Sequence, residues 1–257
     1  MKAKKEIAFL CVILVCCCFY VSVYMFAPRP PNANTLPNKS LERYNINNGD
    51  LIFITGENKG ERSCRWFTNS EYCHVGMLFN EYSSETNEMI CYVIDCDLGG
   101  KHHKNGVRIT SLKDKLSRKN LNKTVCIRRL VNFSVPTTLV GNTDTTINSV
   151  FDSDFNQIGS NRVITSETIM YFYRKYSHVK FDKKMLSWFL TGMPVLYDMV
   201  HSPDRMFCSE FMSILLEELG VIIKDKPSAW YSPNYFQKSK IQTTNNFLYL
   251  QPEYFTL

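Results

Sequence analysis

The chain has 257 residues, a formal net charge of +6 and 44% hydrophobic residues. That is enough material for one domain with its own core, and with no dense basic stripe it carries no footprint for nucleic acid. Six cysteines lie beyond residue 26, too sparse for a disulfide scaffold that replaces a core.

Residues 1–6 are a short flank carrying Lys2, Lys4 and Lys5. Residues 7–26, IAFLCVILVCCCFYVSVYMF, follow without a charge. Their length matches a hydrocarbon core of about 30 Å, and no good small-x-small cleavage site precedes APRPPNANTLPNKS. The expectation is an uncleaved transmembrane signal-anchor with the bilayer as partner; a cleaved signal peptide and a buried helix are the other readings. The lysines favour a cytosolic N-terminus, against which Arg29, Lys39 and Arg43 weigh on the other flank. Cys11, Cys16, Cys17 and Cys18 suit small hydrophobes or acylation sites. Residues 27–43 read as a Pro/Asn-rich stalk, residues 44–250 as the domain, and residues 251–257 as a tail. Glycosylation acceptor triplets begin at Asn38, Asn122 and Asn132.

In the domain, 47–56 reads as a turn and an apolar strand, and 57–72 as a polar loop carrying Trp66 and Phe67. The next strand, 73–79, alternates His74, Gly76 and Leu78 on one face with Cys73, Val75, Met77 and Phe79 on the other. A polar hairpin joins it to a strand over 89–97, which makes the two antiparallel neighbours. VRITSLKDKLSR predicts a short strand and a helix capped near Thr110 or Ser111. A strand over 124–131 precedes a polar insertion at about 132–161. Helices are predicted over 166–176, 182–190 and 206–220, the last stopped by Gly220. The final aromatic stretch, NNFLYLQPEYF, suits an edge strand. Strands early and helices late argue for an α+β fold.

Cys208 stands at the first turn of the helix over 206–220. A cysteine there suits an apolar core plug, a disulfide half, a metal ligand or a nucleophile, and the helix alone does not decide. A nucleophile needs a base, and free amides at a helix N-terminus favour its thiolate. The histidines are His74, His102, His103, His178 and His201. His74 sits on a strand beside Gly76, whose absent side chain leaves room for another group. Asp95 is placed to orient the imidazole, with Asp97 two residues along on the same face. Asp50 reads as a local cap. Glu210 faces a groove or stabilises its helix. A structural zinc site using Cys73, His74, Cys91 or Cys96 lacks a paired Cys-x-x-Cys signal.

GDLIF, HVGMLF, VID, a strand ending RRL, then YD, FCSEFMSILLEELG and SPNYF, in this order, resemble the circularly permuted papain-like hydrolases of the YiiX/YaeF type. These are relatives of NlpC-type peptidases and of lecithin–retinol acyltransferase-like enzymes. The match runs from about Gly49 to Phe236. The resemblance implies a permuted papain-like domain with an antiparallel sheet and a nucleophile-bearing helix. It assigns Cys208 as nucleophile, His74 as base and Asp95 to a third position often held by glutamate. It also makes Tyr197 a candidate to support the oxyanion or line the pocket. No cofactor and no metal are implied.

Two functions are expected on this reading. The first is a membrane-anchored cysteine hydrolase or acyltransferase acting on an amide, ester or thioester of a peptide, lipid or other acyl substrate. The second is a noncatalytic membrane or virion-envelope interaction protein on the same scaffold. The asparagine-, lysine- and isoleucine-rich wording suits an AT-rich genome such as that of a protist or a large DNA virus. In the viral case the membrane would be a host or virion membrane.

Overall fold

The computed structural model describes residues 17–18, 21–22, 25–26, 28–29, 45–55, 59–98, 104–117, 124–132, 164–182, 202, 204–238 and 241–256. In chain order they form β1 (Leu51–Thr55), α1 (Lys59–Thr68), β2 (His74–Ser83), β3 (Glu88–Asp97), β4 (Gly106–Ser111) and α2 (Leu112–Ser117). Then come β5 (Thr124–Arg128), β6 (Leu130–Asn132), α3 (Ser166–Tyr176), β7 (Lys180–Phe181), β8 (Arg205–Met206) and α4 (Cys208–Glu218). A 3-10 turn (Ser228–Trp230), α5 (Pro233–Gln237), β9 (Phe247–Tyr249) and β10 (Glu253–Thr256) complete the order.

Six strands make one antiparallel sheet in the order β10-β5-β1-β2-β3-β4. Two small ladders, β6-β9 and β7-β8, flank it. The final aromatic stretch, expected as an edge strand, supplies β10 through Tyr254 opposite Cys126, within the segment 251–257 also read as a tail. The turn into β1 uses Gly49 at φ +95°, where a Cβ would come within 2.7 Å of the Leu130 side chain. Asp50 caps that turn by accepting the Asn47 N–H at 2.9 Å, and it also accepts the Leu130 N–H at 2.9 Å, eighty residues away. Chiefly because it is buried, its carboxyl is raised to about 6.

Period-2 alternation divides the sheet into two apolar faces. One collects Leu51, Phe53, Val75, Met77, Phe79, Ile94, Cys96 and Cys126 beneath α3 and α4. Phe211, Met212 and Leu215 of α4 are fully buried there, and each such side chain stabilises the fold by about 1.5–3 kcal/mol. The opposite face carries Ile52, Ile54, Leu78, Val93, Val125, Ile127 and Phe255, packed with Leu112 of α2. At the N-terminus of α4 the Glu210 carboxylate accepts the Phe207 N–H at 3.2 Å, so Glu210 stabilises its own helix. Ser111 caps α2 through the Asp114 N–H at 3.1 Å. Gly220 ends the α4 segment at φ +68°.

The structure corrects several expectations. The α+β class with antiparallel pairing stands. However, the main sheet is open, with β10 and β4 as its edges, so there is no closed barrel of the papain-like kind among the described residues. Residues 59–68, read as loop because they are polar, form α1; lysine, glutamate and arginine are good helix formers whatever their polarity. No helix among the described residues is long and apolar enough to cross a membrane. The transmembrane anchor expected at 7–26, the bilayer as partner and the single-pass localisation that followed from it thus gain no support from the described residues. Most of residues 7–26 lies outside the described residues, as do most of the stalk, the insertion after 132, the helix expected over 182–190, and Tyr197, His102, His103 and His201.

Candidate functional site: a buried ionic centre on the α2 face

Four elements converge at one end of the sheet. His74 opens β2 opposite Ile54 of β1, so its ring shares the α2 face with Ile54. Asp95 and Asp97 close β3, opposite Arg108 and Gly106 of β4. Lys115 comes from α2, one turn beyond Leu112, and is buried against the sheet. Gly76 makes the approach of His74 and Asp95 feasible. A Cβ there would lie 2.7 Å from Val93 Cγ1 and 3.3 Å from the Asp95 Cβ.

The contacts form a closed network. His74 Nε2 lies 2.9 Å from Asp95 Oδ2 and 3.1 Å from Lys115 Nζ. The Lys115 ammonium also donates to Asp95 and, at 2.8 Å, to Asp97 Oδ2. Arg108 donates from Nε to Asp95 Oδ1 at 3.1 Å and from Nη2 to Asp97. The Asp95 side chain is fully buried, whereas those of His74 and Asp97 keep 12% and 26% of their exposure, so the centre reaches solvent at this end.

The charges set each other's titration. Burial and the Lys115 ammonium push the His74 imidazole down, but the carboxylates of Asp97 and Asp95 outweigh them and bring it up to about 9. Burial would raise Asp95; Lys115, His74 and Arg108 overcome it and hold this carboxyl well below the usual carboxylate range. Asp97 is lowered against its own burial, by His74 first and then Lys115.

This geometry corrects the catalytic expectation. Cys208 belongs to the apolar cluster on the α4 face, whereas the His74 ring is engaged on the α2 face. The Cys208 thiol points to Cys73 O at 3.8 Å, and no hydrogen bond joins it to His74. Alternation along β2 is the physical reason: the helix packs on Val75 and Met77, so the intervening and preceding side chains face the other way. The room beside Gly76 is filled by Val93 and Asp95, not by the thiol. The cysteine hydrolase or acyltransferase built on a Cys208–His74 dyad is not retained. The polar cluster is His74 with Asp95 and Asp97.

The pairing of His74 with Asp95 does join two residues singled out in the sequence, and Asp97 belongs to the same network rather than replacing Asp95. Lys115 and Arg108 were missed. Their signal was present: Lys115 stands on the apolar stripe Leu112-Lys115-Leu116, and Arg108 interrupts a strand at a core-facing position. The three donors His74, Asp95 and Asp97 offer ligand atoms that all lie within 4.8 Å of one another, the spacing of a cation site. Compared with known proteins, the chain matches no family model and no curated protein.

A Gly76→Ala substitution tests how the centre is held. Overpacking against Val93 and the Ile94 carbonyl is expected to cost about 1–2 kcal/mol in urea unfolding and to move the His74 imidazole resonances as Asp95 is displaced. Unchanged resonances would show that Gly76 does not set the His74–Asp95 contact.

Proposed function

We propose that this domain is a divalent-cation-binding protein whose site is His74, Asp95 and Asp97, with Lys115 as a built-in competitor. The observation that carries the reading is the ammonium of Lys115 lying among the three donors, 3.1 Å from the imidazole and 2.8 Å from Asp97. A cluster that already surrounds one cation with inward-facing donors has the polarity and spacing for another. One imidazole and two carboxylates suit Mn²⁺, Fe²⁺, Co²⁺ or Zn²⁺ better than the all-oxygen preference of Ca²⁺ or Mg²⁺. Entry of the ion would require the Lys115 ammonium to swing out and His74 to release its proton. The partial exposure of His74 and Asp97 supplies the route. Arg108 stays behind to hold the carboxylates in place.

Mn²⁺ binding followed by electron paramagnetic resonance tests this. Saturable binding to the full chain is expected, tightened at least tenfold in Lys115→Ala, where the competitor is gone, and lost in Asp97→Asn. A second reading follows from the ion pairs themselves, since Asp95 and Asp97 already engage Arg108, Lys115 and His74: a purely structural ion network. No Mn²⁺ binding to the folded wild type or Lys115→Ala would establish that reading and sink the cation site.

A further inference from the structure

On the opposite face of the sheet, two thiols from distant segments share one acceptor. Cys64 Sγ of α1 lies 3.5 Å from the Cys73 carbonyl oxygen, and Cys208 Sγ of α4 lies 3.8 Å from the same atom. Both residues are 6% exposed. The neighbouring thiols are engaged elsewhere: Cys73 Sγ on Ile54 O at 3.5 Å and Cys96 Sγ on Met206 O at 3.4 Å. We propose that Cys64 and Cys208 are a redox-active pair, a site of thiol–disulfide exchange that closes a disulfide between α1 and the N-terminus of α4. Bond formation needs the sulfurs at about 2.05 Å, so both side chains must rotate off the carbonyl oxygen they share.

The two thiols have different parts. Cys208 stands at the first turn of an eleven-residue helix, at the N-terminal end of α4. Burial first, then the neighbouring Cys73 and Cys208 thiols, raise Cys64 well above the usual thiol range. Cys208 is thus the attacking sulfur and Cys64 the resolving one. With glutathione disulfide as oxidant, the Cys208 thiolate attacks one glutathione sulfur. An S–S bond forms, the glutathione S–S bond breaks, and one glutathione thiolate leaves and takes up a proton. Cys64 then loses its proton and attacks Cys208 Sγ, expelling the second glutathione. Two protein thiols become one disulfide, and one glutathione disulfide becomes two glutathione thiols.

The tryptic map separates the outcomes. Cys64 falls in Ser63–Arg65 and Cys208 in Met206–Lys224, whereas Cys73, Cys91 and Cys96 share Trp66–Lys101. The folded full chain is treated with glutathione disulfide, alkylated with iodoacetamide and digested without reduction. The expected product links Ser63–Arg65 to Met206–Lys224, and the link is absent from Cys64→Ser, in which Cys208 accumulates the glutathione adduct instead. Cys208 linked to Trp66–Lys101, a stable glutathione adduct on Cys208 of the wild type, or both thiols alkylated would each overturn the pair.

Discussion

Replacing Asp95 with alanine is expected to destabilise the domain by about 3–5 kcal/mol, the cost of leaving buried cations without their counter-ion. Asp95 is fully buried, and the charged groups of Arg108 and Lys115, each about 5% exposed, sit on its two oxygens. With the carboxylate gone, Lys115 retains Asp97, but the Arg108 Nε and the His74 ring each lose a partner that water cannot readily replace. Urea unfolding in the presence of EDTA measures the loss without a contribution from bound metal. Adding Lys115→Met to Asp95→Ala should recover part of it, because one uncompensated charge is removed. Asp97→Asn should cost less, since that side chain is partly solvated. A loss below about 1 kcal/mol in Asp95→Ala, the range of an exposed ion pair, would mean the network does not hold this end of the sheet.

The second large effect is a fall in stability with rising pH. A free imidazole titrates near 6.5, and His74 in the folded chain is brought up to about 9 by Asp97 and Asp95 against burial and Lys115. The folded state therefore binds the proton more tightly than the unfolded state. Its contribution is fully present below about pH 6.5 and is lost as pH rises through about 9, a total on the order of 3 kcal/mol. Asp50, raised to about 6 chiefly by burial, acts in a lower window. Buried thiols such as Cys73, pushed up to about 12 mainly by burial, add to the decline in alkaline solution. The diagnostic is thus a difference: unfolding free energy measured from pH 7 to 10 with EDTA should fall more steeply for the wild type than for His74→Gln. Parallel curves would show that His74 is not held protonated by the carboxylates.

The two readings of the ionic centre meet in these experiments. A structural network predicts that stability follows Asp95 and His74 with no response to Mn²⁺. A cation site adds a metal-dependent stabilisation, by mass action on the folded state, that grows when Lys115 is removed. The disulfide proposed between Cys64 and Cys208 lies on the other face and is read by a different measurement.

Much of the architecture was legible in the sequence because it rests on local pattern. Alternation in CHVGMLF and CYVID defined two strands and their faces, a polar hairpin between them set antiparallel pairing, and helical spacing with Gly220 bounded α4. The same alternation already separated His74 from Val75 and Met77. What it could not state was which of those faces the cysteine helix would cover, since both carry apolar residues. That was decided by packing of Phe211, Met212 and Leu215 against the Val75 and Met77 side. The choice sent Cys208 to one side of the sheet and left His74 to Asp95 on the other. Arg108 and Lys115 joined the centre for a similar reason. Their sequence neighbours mark them only as cations among apolar residues, and burial beside two carboxylates arises once β3, β4 and α2 are brought together. The sequence by itself determined strands β1 to β5, the alternating faces of β2 and β3, and the helix that carries Cys208 in its first turn. The tertiary structure alone decided which charged groups share one buried space, because a low-dielectric site pairs ions by distance in space, not by separation along the chain.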